Sequence, residues 1–236
     1  MSRKKLIAIG CSFTRDTFNV IDQRPGYDFH VWPTLLSEKL DMDCLNLGKG
    51  GQGNEYISAK LIDTILSEKK EDIGLVVLMW SGWQRMDYLD IEGEWKKVVR
   101  KGPVWDIILK YNNAHNATMK SLRHFLIAQK LLEDIPYLMV QGIGPVYLDE
   151  FIERKSKHIW LQSFLNSKIF DEIDEKKFIG WPILKRIGGY TINNMLDKID
   201  PERNQLRISS EDTHPNAEGH KIIAQEVYDA YEKIYI

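Results

Sequence analysis

Near the start of this chain neither an export signal nor a membrane anchor is expected. The basic N-terminus Met1-Ser2-Arg3-Lys4-Lys5 is followed by only Leu6-Ile7-Ala8-Ile9. That run is too short for the apolar part of a signal peptide and far too short to span a bilayer. A cytoplasmic protein with no membrane partner is expected. Cysteine is scarce, with two in 236 residues. Cys11 and Cys44 sit in apolar settings and read as buried free thiols in a reducing compartment, not as a disulfide framework. His30, His115, His124 and His158 have no paired metal spacing and there is no Cys-x-x-Cys, so neither metal nor cofactor is expected. Neither sign of charge is in excess: 32 Lys and Arg stand against 34 Asp and Glu. Nothing points to bulk binding of nucleic acid or of an anionic surface. Repeats and low-complexity linkers are absent, so residues 1–236 read as one domain with a substantial core.

What is present alternates. Lys5 to Gly10 is a short apolar run ending in glycine, a buried parallel strand. Val31 to Leu40 has helical spacing, with Trp32-Pro33 in a first turn where proline is tolerated. Asp43 to Leu47 reads as a strand and Glu55 to Ser67 as a helix, with a glycine-rich turn, Gly48 to Asn54, between them. Ile73 to Trp80 is the most apolar strand, and the polar loop Ser81 to Asp87 follows it. This order predicts a parallel α/β sheet with right-handed crossovers. A long helix over Asn112 to Leu132 and a strand over Pro136 to Val140 extend it. Glu150 to Phe170 looks helical, with Phe151, Trp160 and Phe164 exposed; Phe178 to Tyr190 is irregular. A last helix starts at Pro215 or Asn216 and runs to Tyr231.

Chemistry concentrates at the two ends. Asp212-Thr213-His214-Pro215 puts a carboxylate and an imidazole two residues apart, just before the last helix. Ser12 closes the first strand. Serine, histidine and aspartate are the parts of an activated hydroxyl nucleophile. In open α/β sheets ligands bind beyond the carboxyl ends of the strands, and Ser12, Gly51 and Ser81 each follow a strand directly.

Four segments, in chain order, resemble the signatures of the SGNH (GDSL-type) hydrolases. Gly10-Cys11-Ser12-Phe13 is similar to the Gly-Asp-Ser segment. Asn46 to Asn54 is similar to the second, whose glycine donates an N–H to the oxyanion. Trp80-Ser81-Gly82-Trp83-Gln84-Arg85 sits where Gly-x-Asn-Asp belongs, and Asp212 to His220 resembles the last. The resemblance implies a three-layer α/β/α sandwich with a flavodoxin-like parallel sheet of about five strands. It implies a serine hydrolase that cleaves a small-molecule or carbohydrate-borne acyl ester, O-acetyl groups included. Ser12 would be the nucleophile, His214 the base, and Ser12, Gly51 and Ser81 the oxyanion donors. Three departures stand out. Cys11 replaces an aspartate of local structural use. The third segment lacks its Asn, leaving Ser81, Gln84 or Arg85 to supply a donor. Glu211, not Asp212, has the family spacing to His214, and either could orient the ring, with Asp212 preferred.

Each residue also has a plain structural use: Ser12 as a helix cap, His214 as a surface histidine, the glycines as a simple turn, Gln84 and Arg85 as solvated loop. His220 reads as structural. Trp32 and Trp80 fit core packing, while Trp83 and Trp181, in loops, are candidates for a substrate wall beside Gln84 and Arg85. The stretch from about Tyr147 to Ser210 would build a pocket or lid. Two other uses of the same fold fit the sequence: a binding module without turnover, and an acyltransferase.

Overall fold

In the computed structural model the described residues are 3–16, 29–98, 113–144 and 161–236. The main strands are β1 (Lys5–Gly10), β2 (Asp43–Asn46), β3 (Ile73–Trp80), β6 (Tyr137–Gln141) and β7 (Phe178–Ile179). They form one parallel sheet in the order β2-β1-β3-β6-β7. Chain order reverses direction between β1 and β3, so the loops after those two strands border the crevice at the switch point. A separate antiparallel hairpin pairs β4 (Asp87–Leu89) with β5 (Trp95–Lys97).

Alternation along the strands fills two layers. On one face Ile7, Ile9, Val76, Leu78 and Met139 pack with Ile57 and Leu61 of α2 (Asn54–Ser67) and Leu122 and Phe125 of α3 (Ala114–Leu131). On the other, Leu6, Ala8, Val77 and Val140 pack with Trp32 and Leu36 of α1 (Trp32–Leu40). Ile192 and Leu196 of α4 (Ile192–Ile199) and Ile223 and Val227 of α5 (Ala217–Tyr235) complete that layer. The result is the expected three-layer sandwich. Among the described residues no helix is long and apolar enough to cross a membrane.

β1 and β3 keep their expected bounds, and α5 runs one turn further than its pattern indicates. Four expectations are corrected. The fifth strand lies within the stretch read as irregular: β7 is two residues long, too short for any periodicity to register. The helix read over Glu150 to Phe170 is broken where it is described, at 161–165 and Lys168–Asp171, and Ser167 caps the second piece by accepting the Ile169 N–H; residues 150–160, with Phe151 and Trp160, lie outside the described residues. Phe164 is buried, not exposed. Cys44 is exposed, because β2 is an edge strand, while Cys11 is buried as expected. The described part of the 147–210 stretch supplies β7 to the sheet and α4 to the core, so much of it is framework.

Candidate active site

β1 delivers Ser12 into a turn, where the N–H groups of Thr14 and Arg15 both reach the Cys11 carbonyl. This is a turn and not a helix start, so the capping use of Ser12 does not apply. β2 delivers the glycine-rich segment beside it. Asn46 joins the two: its Nδ2 donates to the Thr14 carbonyl at 2.7 Å and its Oδ1 accepts the Gly48 N–H at 2.9 Å. Gly48 makes this approach possible, since a Cβ there would lie 2.5 Å from the Arg15 nitrogen. Gly51 has φ +78°, a region costly for other residues. Among the described residues neither the Ser12 nor the Gly51 N–H donates to a backbone carbonyl.

The C-terminal loop brings the imidazole. His214 Nε2 lies 2.9 Å from Ser12 Oγ, across 202 positions of sequence. His214 Nδ1 lies 2.5 Å from Asp212 Oδ1, which also accepts the His214 backbone N–H at 3.2 Å. Glu211 is exposed, so the carboxylate that meets the ring is Asp212. Phe13 stands edge-on to the imidazole, centroids 5.6 Å apart. Ser12 is 7% exposed, and the dyad opens to solvent on the histidine side.

Two polar residues, one of them buried, hold this loop. Arg207, its side chain wholly buried, donates through Nη1 to the Thr213 carbonyl at 2.7 Å and through Nη2 to Asp197 at 2.7 Å. Asn216 caps α5 by accepting the Gly219 N–H, and donates back to the Gln205 and Arg207 carbonyls. His220, on the first turn of α5, accepts the Trp32 N–H at Nδ1, 3.2 Å away. It serves α1, whose N-terminus has no side-chain cap of its own. Burial, aided by the nearby His214, pushes the His220 pKa down to about 3, which keeps it the neutral acceptor this contact needs.

The loop after β3 departs from expectation. Ser81 is fully buried and committed: its N–H donates to Asn54 Oδ1 at 2.8 Å and its hydroxyl to the Gln52 carbonyl at 2.8 Å. It has no proton left for an oxyanion. Arg85 Nη1 donates to that same carbonyl and to Ser81 Oγ, bracing the loop. Gln84 differs, since its Nε2 is buried and has no hydrogen-bond partner among the described residues. Trp83 is no substrate wall: it is 2% exposed, donates Nε1–H to Gln141 and packs on Phe125 and Phe164. Its run of apolar neighbours outweighs its loop position. Trp181, half-buried, follows β7 at the same sheet edge and packs on Phe164, Phe170 and Phe178.

Sequence reasoning missed Asn46, Arg207 and the β4–β5 hairpin. Asp87, the first residue of β4, accepts the Gly53 N–H at 2.7 Å and the Tyr56 N–H at 3.1 Å, closing the N-terminus of α2 behind the glycine turn. Burial raises its pKa to about 6 despite those bonds. A lone arginine between Leu206 and Ile208 was the one available sign of Arg207. Among the described residues no group of three His, Cys, Asp or Glu could hold a metal ion.

No protein-family model and no curated protein matches the chain. Solved structures do. A lipolytic protein of the G-D-S-L family from Desulfitobacterium hafniense is 15% identical with a TM-score of 0.51, over 97% of this chain and 99% of that one. A member of the same lipolytic family from Veillonella parvula is 13% identical with a TM-score of 0.52, over 98% and 100%. The psychrotrophic esterase EstA of a Pseudoalteromonas species, in a structure inhibited by monoethylphosphonate, is 14% identical with a TM-score of 0.50, over 98% and 97%. The chain thus has the α/β/α fold of the GDSL-type lipolytic proteins.

Proposed function

We propose that the protein is a serine hydrolase of carboxylic esters. Ser12 Oγ attacks the acyl carbon while His214 Nε2 takes its proton, and Asp212 fixes the ring tautomer and steadies the imidazolium. The Ser12 and Gly51 N–H groups and Gln84 Nε2 receive the oxyanion. His214 then gives the proton to the leaving alcohol. A water, deprotonated by the same ring, attacks the acyl-serine and releases the acid and the free hydroxyl. Small acyl esters, O-acetyl groups on carbohydrate among them, are the class to assay first.

The observation that carries this reading is the unbroken contact Ser12 Oγ to His214 Nε2 at 2.9 Å and His214 Nδ1 to Asp212 at 2.5 Å. It lies at the sheet edge and switch point where this architecture binds ligands. Gln84 answers the main objection, the absent Asn, because a buried amide without a partner is expensive unless something else satisfies it. The test is reaction with a 4-nitrophenyl alkylphosphonate, read by intact mass. One covalent adduct is expected on the wild type and none on Ser12→Ala or His214→Ala folded to the same circular dichroism spectrum. A wild type that neither takes the label nor cleaves 4-nitrophenyl acetate refutes the proposal and favours a binding module.

A further inference from the structure

We propose that the ester cleaved here carries a negative charge, a carboxylate or a phosphate, held by Lys97 and Arg15 at the rim of the oxyanion site. This rests on the hydrolase reading above. Two adjacent glycines each lie against a cation. A Cβ on Gly51 would meet Lys97 Cδ at 2.7 Å and Nζ at 3.0 Å, and a Cβ on Gly50 would meet Arg15 Nη1 at 2.8 Å. The turn that offers an N–H to the oxyanion is therefore flanked by an ammonium on one residue and a guanidinium on the next. Any side chain at either glycine would displace them.

Lys97 is held there by its framework. It ends β5 and pairs in register with Asp87, whose carboxylate is fastened to the Gly53 and Tyr56 N–H groups. The hairpin is thereby pinned to the glycine turn, with Lys97 facing it. Neighbouring charges are matched: Lys96 lies 3.4 Å from Asp90, Lys49 3.7 Å from Glu94, and Lys120 pairs with Glu55. Among the described residues Lys97 has no carboxylate of its own. The carboxylate of Asp87, its cross-strand neighbour, is engaged by backbone N–H groups. The positive end of α2 adds to the same local field. A neutral ester leaves the Lys97 ammonium without an ion-pair partner among the described residues; an anionic one supplies it.

Two matched pairs of esters test the idea and show which part of the substrate bears the charge. Mono-4-nitrophenyl succinate against 4-nitrophenyl butyrate places it on the acyl side. 4-Carboxyphenyl acetate against 4-cyanophenyl acetate places it on the alcohol side. For one pair or both, the charged-to-neutral ratio of kcat/KM should exceed one in the wild type. It should fall about ten-fold in Lys97→Met, mainly through KM, and return in Lys97→Arg. Raising salt from about 20 to 300 mM should shrink the wild-type ratio. Ratios that Lys97→Met leaves unchanged overturn the inference, as does a wild type that cleaves the neutral esters with no charge preference. A wild type that cleaves none of the four and takes no phosphonate label removes the hydrolase reading and this inference with it.

Discussion

Replacing Arg207 with methionine should weaken both the fold and the chemistry. Methionine occupies much of the same buried volume but donates nothing. Four acceptors depend on the guanidinium: the Thr213 carbonyl, the Asn193 carbonyl at 3.0 Å, Asn193 Oδ1 at 3.1 Å and Asp197 Oδ1. Asp197 is not stranded, because Arg203 also binds it, at 3.1 and 2.8 Å. The Thr213 carbonyl is, whereas the Asn193 carbonyl lies within α4, whose ladder supplies the Asp197 N–H. An unsatisfied buried acceptor costs about 1–3 kcal/mol. At roughly 2–4 °C per kcal/mol for a chain of this size, a loss of about 2 kcal/mol should lower the melting midpoint about 4–8 °C. Thr213 immediately precedes His214, so the slackened loop should also lower kcat about ten-fold or more with KM nearly constant, since small misplacements of reacting groups are costly. Arg203→Met is the control. Arg203 binds the same carboxylate but its side chain is 41% exposed, and such a pair contributes no more than about 1 kcal/mol. Differential scanning fluorimetry and ester kinetics on both variants decide the matter. Equal midpoint shifts for the two arginines, or an Arg207→Met enzyme with wild-type melting and turnover, refute the argument.

Asp212→Asn should cut kcat by about 10³–10⁴, because an amide favours the wrong ring tautomer, while Glu211→Gln should stay within about two-fold; steady-state ester hydrolysis distinguishes them, and the reverse order would reassign the acid. Gln84→Ala should lower kcat by about 10²–10³ with little change in KM, and full activity would leave the oxyanion to the two backbone N–H groups. Asp87 gives a pH signature. Its folded pKa of about 6 lies above the usual value near 4, so above pH 6 the folded state bears a charge that burial disfavours, and that penalty fades as pH falls from 6 towards 4. Asp87→Asn should therefore compare more favourably with the wild type at pH 7.5 than at pH 4.5, by no more than about 2 kcal/mol after solvent screening. Paired urea titrations at the two pH values measure it, and a difference independent of pH refutes it.

How much of this was legible in the sequence depends on the range of the forces involved. β1 and β3 are apolar on both faces because both faces are covered, and such runs announce themselves. α2 and α5 show one apolar stripe for the same reason. β7 could not be seen: two residues joining an existing edge take their structure from β6. The hairpin was hidden because Tyr88, Leu89 and Ile91 are exposed, and a strand pair with little buried face has no alternation to read. Ser12, Asp212 and His214 were legible because their motifs are local. Ser81 and Trp83 misled because a loop position in sequence does not reveal that the loop folds inward, with Ser81 and Trp83 both sealed beneath it.

The same contrast bears on which parts of such a site can change. Ser12 and His214 meet because β1 and the start of α5 are fixed by separate packing layers, then locked by Asn46 on one side and Arg207 and Asn216 on the other. Neither residue can shift by a position without leaving its lock. An oxyanion donor is under no such constraint. It needs only a proton aimed at one point, and the loop after β3 presents several side chains within a few residues of the crevice. Committing Ser81 to the Gln52 carbonyl frees the loop to deliver an amide two or three residues on. On the reading proposed above, Gln84 supplies the donor that the third motif lacks; its buried Nε2 has no hydrogen-bond partner among the described residues, while Ser81 is committed to the Gln52 carbonyl.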